Sequence, residues 1–223
     1  MSEGLSFPDA IEPAPPWGAG SPTSAGKPRR REPRPAVPHE HFVEEPWVSR
    51  RLFEERAFGP VVVDPCAGFG NIVGSARACG LGAYGSDIVK RASGIAGGRD
   101  FLAADWRAPR RAGAAFDIVS NPPFGGRSPL LRRIAETACA RAARVALLVP
   151  VTRLGPAMTW LKPLPLEEAL LLDRRTSLWP GAIYAAKLAA GEKLRAGYEP
   201  VVWLIFRRGH RGSPRLRDLA RRA

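Results

Sequence analysis

The chain has 223 residues, 45% of them hydrophobic, enough for one sizeable folded domain plus tails. No apolar run approaches the ~18 residues of a membrane helix. MSEGLSFPDAIEP carries acids and a proline where an export signal needs a basic start and an apolar core, so a cytoplasmic protein without membrane contact is expected. A formal charge of +13 points to polyanions or anionic membranes as partners, while Cys66, Cys79 and Cys139 stand at no metal-ligand spacing and read as free thiols, with no metal site.

Residues 1–40 are rich in Pro, Ala, Gly and Ser and balance five bases against five acids. They lack the apolar content to offset the entropy of ordering, so they read as a disordered Pro/Arg-rich segment. From residue 41 the texture changes. EEPWVSRRLFEERA reads as a helix with Pro46 in its first turn and Trp47, Leu52 and Phe53 facing inward. PVVVD (60–64) is a strand, NIVGSARACG (71–80) a helix closed by glycine, and LGAYGSD (81–87) a second strand. GRDFLAADW (98–106) carries a short third strand, AFDIVS (115–120) a fourth, and SPLLRRIAETACARAA (128–143) an amphipathic helix. RVALLVPV (144–151) is a fifth strand, and LEEALLLD (166–173) and PVVWLIFRR (200–208) are late ones. A polar-aromatic stretch, 174–199, lies between those two. Residues 41–208 thus form one domain, followed by a basic tail, 209–223. Strands alternating with helices imply an α/β, mostly parallel, doubly wound sheet, with ligands outside the carboxyl ends of the strands where strand order reverses.

Two stretches carry chemistry. VVVDPCAGFGN (61–71) ends a strand in Asp64 and turns through Gly68 and Gly70 into a helix. These glycines allow a sharp turn and close approach to a ligand, yet residue 73 is Val, so the full dinucleotide pattern is absent, and no phosphate-binding Gly-Lys-Ser/Thr follows. Asp87 ends the second strand, where it suits either two ribose hydroxyls or a helix N-cap. Asp100 and Phe101 suit an adenine amine and its ring, or a turn and the core. SNPPF (120–124) leaves a core strand through an amide, two prolines and an aromatic ring, which is a rigid, extended exit.

DPCAGFG resembles the cofactor motif of class I S-adenosylmethionine-dependent methyltransferases. SNPPF resembles the catalytic motif of the amino-methyltransferases that act on adenine N6 or cytosine N4 in nucleic acids. The stretch from about 41 to 215 is similar to small phage- or prophage-type DNA adenine methyltransferases, including EPWVSRRLF, DFL, RRTSLWP and VVWLIFRRGHRGSPRL. The resemblance implies a Rossmann-like, seven-stranded sheet with an antiparallel last strand, and S-adenosyl-L-methionine as cofactor. It implies that Asp64, Pro65, Ala67, Gly68 and Gly70 wrap the methionine moiety, and that Asp87 holds the ribose. Ile88 then packs on the adenine, Asp100 meets its amine and Phe101 lies beside it. Pro46 and Trp47 match the first-helix motif, where a Thr-Pro pair is usual; Glu44 and Glu45 precede them here.

The resemblance assigns catalysis to Asn121, Pro122, Pro123 and Phe124. An exocyclic amine is a poor nucleophile because its lone pair is delocalised. Acceptors on both hydrogens, from the Asn121 side chain and the Pro122 carbonyl, favour a pyramidal nitrogen, and the prolines hold the geometry. Phe124 stacks on a flipped base. Arg153, Arg174, Arg175, Trp179 and Tyr184 lie where a substrate lip is expected and suit phosphate and base contact, and the tail is expected to add nonspecific phosphate affinity. The expected activity is methyl transfer to adenine N6 in DNA. RNA base amines, a protein glutamine amide, and a binding protein with a vestigial cofactor site are the alternatives.

Overall fold

The computed structural model describes residues 39, 41–113, 115–124, 129–174, 176, 178–192 and 200–220, all within the unit Ala36–Ala223. Apart from His39, the N-terminal segment expected to be disordered lies outside the described residues, as does Arg175.

In chain order, the short strand β1 (Phe42–Val43) leads into α1 (Pro46–Glu55), β2 (Val61–Asp64), α2 (Asn71–Ala78), β3 (Gly82–Ser86) and β4 (Ile95–Ala96). β5 (Asp117–Ser120), α3 (Leu130–Arg141), β6 (Arg144–Pro150), α4 (Leu154–Leu161) and β7 (Leu166–Leu172) follow. The chain continues through β8 (Trp179–Pro180), α5 (Gly181–Ala189), β9 (Val201–Arg207) and β10 (Arg215–Leu219). Pro46 opens α1 at a position where its missing N–H costs nothing.

The main sheet has eight strands in the order β10-β7-β9-β6-β5-β2-β3-β4. Only β9 is antiparallel, lying between β6 and β7. The apolar residues alternate between two cores, as a sheet covered on both faces requires. Ala146, Leu148, Trp203 and Ile205 face the core roofed by α1 and α2. Val145, Leu147, Val149, Leu204 and Phe206 face the core that includes α3 and α4. α1 and α2 are joined at their contact by a buried hydrogen bond from Ser49 Oγ to Ser75 Oγ of 2.9 Å. From β2 the chain steps outward to β3 and β4, then returns to β5 on the other side. Strand order therefore reverses between β2 and β5.

Two expectations need correction. The third strand is not within 98–106 but is Ile95–Ala96, paired with Gly85 and Ser86. Gly98 has φ +69°, and the Asp100 carboxylate accepts from Leu102 N at 2.9 Å, so this stretch turns instead of extending. Nor is 209–223 simply a tail. Arg215–Leu219 pairs parallel with Glu168–Leu172 as an eighth strand, so the last strand in sequence is parallel and the antiparallel one precedes it. Leu219 is buried against the first core, Arg51 Nε donates to Ala220 O at 2.8 Å, and Arg217 lies 3.7 Å from the buried Glu168 carboxylate.

Candidate active site

Asp64, at the end of β2, is 2% exposed. Its Oδ1 accepts from Cys66 N at 3.0 Å and from Ser120 Oγ at 2.7 Å, which ties the carboxyl ends of β2 and β5 together. Burial pushes its pKa up to about 8 against these hydrogen bonds, and Glu44 and Asp87 raise it further. The glycine-rich turn follows. Gly68 (φ +51°) and Gly70 (φ +87°) take the left-handed conformations that favour glycine, and Ala67 N donates to Ser86 O at 2.9 Å. Gly68 N donates to Asp87 Oδ2 at 2.8 Å, and Val89 N donates to Asp87 Oδ1 at 3.0 Å. Asp87 is thus an anchor for the turn. No helix follows it, which removes its N-cap reading. Each carboxylate oxygen keeps a second lone pair for a ligand hydroxyl.

At the end of β5, Asn121 Nδ2 donates to Phe42 O at 2.9 Å and to Glu44 Oε2 at 2.8 Å. Both amide hydrogens are therefore engaged, and the amide orientation follows from these two acceptors. Its Oδ1 is buried and accepts no hydrogen bond among the described residues. Glu44 is 5% exposed, and burial raises its pKa although Asn121 pulls it down. Asn71 Nδ2 donates to Glu44 O at 2.9 Å. Glu44, Asp64, Asn71 and Asn121 line one narrow cleft with Phe42 and Ala67.

The segment ahead of α1 is a strap over this site. β1 pairs antiparallel with β8, placing Phe42 opposite Pro180 and Val43 opposite Trp179. The His41 imidazole is wedged between two glycines, so a Cβ at either Gly68 or Gly181 would collide with it. Burial, then Arg91, lower the His41 pKa to about 4. Phe69 contacts His41 at 4.9 Å and stacks on Tyr184 of α5 at 5.9 Å. Phe42 stacks on Phe124 with ring centroids 5.7 Å apart and 14° between planes.

Asp64, Ala67, Gly68, Gly70, Asp87 and Asn121 are brought to the carboxyl ends of β2, β3 and β5, at the reversal in strand order, with Pro65 buried in the turn. Ile88 follows Asp87 and is 45% exposed. Pro122 is buried, and Pro123 and Phe124 are half-buried. Asp100 is exposed in its turn. Phe101 is 4% exposed, with its ring against Trp106 at 4.9 Å and under the Arg141 guanidinium at 5.0 Å, so it serves the core instead of lying open beside a ligand. Trp47 does not line the cleft; it packs against the first core and its Nε1 donates to Glu45 Oε2 at 2.6 Å. Trp179 belongs to β8 with Lys187 Nζ 5.7 Å over its ring, Arg174 is exposed, and Arg153 sits in a short turn after β6. Sequence reasoning assigned nothing to His41, Phe42, Glu44, Phe69 and Asn71. Phe69 and Asn71 lie inside the glycine-rich motif, and the only signal for His41, Phe42 and Glu44 was their closeness to the first-helix Pro46. Among the described residues, no group of His, Cys, Asp and Glu could hold a metal, and no helix is long and apolar enough to cross a membrane.

No family model matches the chain, and no curated protein matches it either. Solved structures do. A protein assigned as the modification subunit of a type I restriction enzyme from Vibrio vulnificus matches at a TM-score of 0.50 and 17% identity, over 81% of this chain and 46% of that one. The chain therefore spans about half the length of that relative. A protein assigned as an RNA methyltransferase from Pyrococcus horikoshii matches at 0.48 and 16%, over 73% and 81% of the two chains. A TehB-like SAM-dependent methyltransferase from Corynebacterium glutamicum matches at 0.42 and 19%, over 72% and 86%. The strand order, the single antiparallel strand and the first of these likenesses define the fold as that of the class I methyltransferases.

Proposed function

We propose that the chain is an S-adenosyl-L-methionine-dependent methyltransferase. Its substrate is an exocyclic amine of a nucleic-acid base, with adenine N6 in DNA as the leading target. The observation that carries this reading is Asn121: two donors fixed by Phe42 O and Glu44, and one buried acceptor without a partner among the described residues. A buried oxygen in that state is costly alone and is relieved by an incoming N–H.

The turn suits the cofactor. Glu44, Asp64 and Asp87 are buried carboxylates with no ion pair among the described residues, an environment that favours a ligand carrying cationic ammonium and sulfonium groups. Asp64, Ala67, Gly68 and Gly70 would hold its methionine end, with Asp87 and Ile88 at the nucleoside. Bound there, it would supply an electrophilic methyl group. Asn121 Oδ1 and the Pro122 carbonyl accept the two amine hydrogens, raise the lone pair out of the ring plane and fix its direction. Phe124 offers a face to the base. Arg153, Arg174 and Trp179 form the lip, and the arginines of 207–223 supply phosphate affinity, in keeping with the net charge.

Purified protein with methyl-labelled S-adenosyl-L-methionine is offered duplex DNA, single-stranded DNA, total RNA and a cell-protein extract in parallel, and the labelled product is identified by mass spectrometry. Label on N6-methyladenine in DNA is expected. Label in RNA or on glutamine replaces the substrate, and no label with no cofactor binding overturns the enzyme reading.

A further inference from the structure

We infer that Phe42 is the second wall of a two-sided slot, opposite Phe124, into which a planar heteroaromatic base inserts. This rests on the base-amine reading above and narrows it to a flat substrate, against an aliphatic amide. The two rings face each other nearly parallel, at 14°, with centroids 5.7 Å apart. The rings are in contact, so a base between them, which needs about 7 Å from plane to plane for two stacking layers of ~3.5 Å, enters only when one ring moves off the other. The walls differ in what holds them. Phe124 packs against the second core, whereas Phe42 belongs to neither core and is half-buried. Phe42 stands on a two-residue strand with two paired positions, so it is the less firmly held of the two walls.

The slot is also registered on the acceptor. The backbone carbonyl of Phe42 takes one Asn121 hydrogen at 2.9 Å, and Phe124 lies three residues beyond Asn121. Both walls are therefore attached to the residue whose Oδ1 is buried and accepts no hydrogen bond among the described residues, Phe42 through its carbonyl and Phe124 through the chain. A base in the slot brings its exocyclic edge to that oxygen. Neighbouring Glu44 closes the back of the amide at 2.8 Å, and its carboxylate fixes which atom of Asn121 faces the base.

The test uses Phe42→Ala, Phe42→Leu and Phe42→Trp in the full chain. Without cofactor, binding of a fluorescent oligo-dA is compared with an abasic oligomer of the same length by anisotropy. The parental protein should prefer oligo-dA. Alanine and leucine should weaken oligo-dA binding roughly tenfold while leaving the abasic oligomer unchanged, and tryptophan should retain the preference. The same variants should lose methyl transfer to nucleic acid in proportion, with S-adenosyl-L-methionine affinity by calorimetry held within about threefold. Phe42→Leu at parental base preference and parental transfer overturns the slot and leaves the enzyme reading standing. Label from the parental protein on a protein amide, with none on DNA or RNA, overturns the base reading and the slot together.

Discussion

Asn121→Ala removes the buried amide acceptor and leaves the Phe42 carbonyl and the Glu44 carboxylate without their donor. Turnover should fall roughly 10²–10³-fold, the scale seen when one preorganised polar group is lost, with cofactor affinity nearly unchanged. Single-turnover rates beside calorimetry check this. Asp64 gives a pH dependence. Its folded pKa is raised to about 8 from 3.8, so across that window the folded chain keeps a proton that the unfolded chain has lost. Asp64's share of stability therefore falls as pH rises from about 4 to 8 and levels off above. A cationic ligand favours the ionised carboxylate, so S-adenosyl-L-methionine affinity should rise between pH 6 and 8, by at most about tenfold per unit. Calorimetry in buffers of different ionisation enthalpy would reveal the released proton. The placing of Asp64, Gly68 and Asn121 at or just beyond the ends of β2 and β5 was legible in the sequence because each sits within a short motif that carries its own backbone geometry. Glu44 and Phe42 were not, because their work is done on a residue 77 and 79 positions away.

At the scale of elements, the helices and most strands could be read from period and from glycine and proline punctuation. The exceptions have specific causes. β10 was hidden by its arginines: four of its five residues are exposed, and only Leu219 faces a core. β4 was misplaced because a two-residue strand beside two glycines has too little apolar pattern to locate. Leu219 is 1% exposed, so Leu219→Ala should destabilise the fold by about 2–3 kcal/mol, and urea melts would measure it. An unchanged midpoint would mean that β10 is dispensable. Arg56 and Glu168 bind the same edge from inside. Glu168 is 2% exposed and receives Arg56 Nε at 2.7 Å, so loss of the arginine would strand a buried charge.

Across the whole molecule, the excess charge lies outside residues 1–40, and residues 207–223 alone hold seven arginines against one aspartate. If this charge contacts phosphates, the binding constant should follow salt with a slope of about −0.9 per phosphate, or roughly fortyfold across a fourfold change in salt for three contacts. Anisotropy titrations at several salt concentrations would test it, and a flat profile would exclude the contact. The reversal in strand order gathers both motifs at one end of the sheet, and the strap crosses both. His41 lies against the glycine turn and Phe42 against the aromatic wall, as consecutive residues on one short strand. If cofactor and base bind at these two places, as proposed, a shift of that strand is felt at both and couples them. Such coupling is reciprocal: whatever factor the cofactor adds to nucleic-acid affinity, nucleic acid must return to the cofactor.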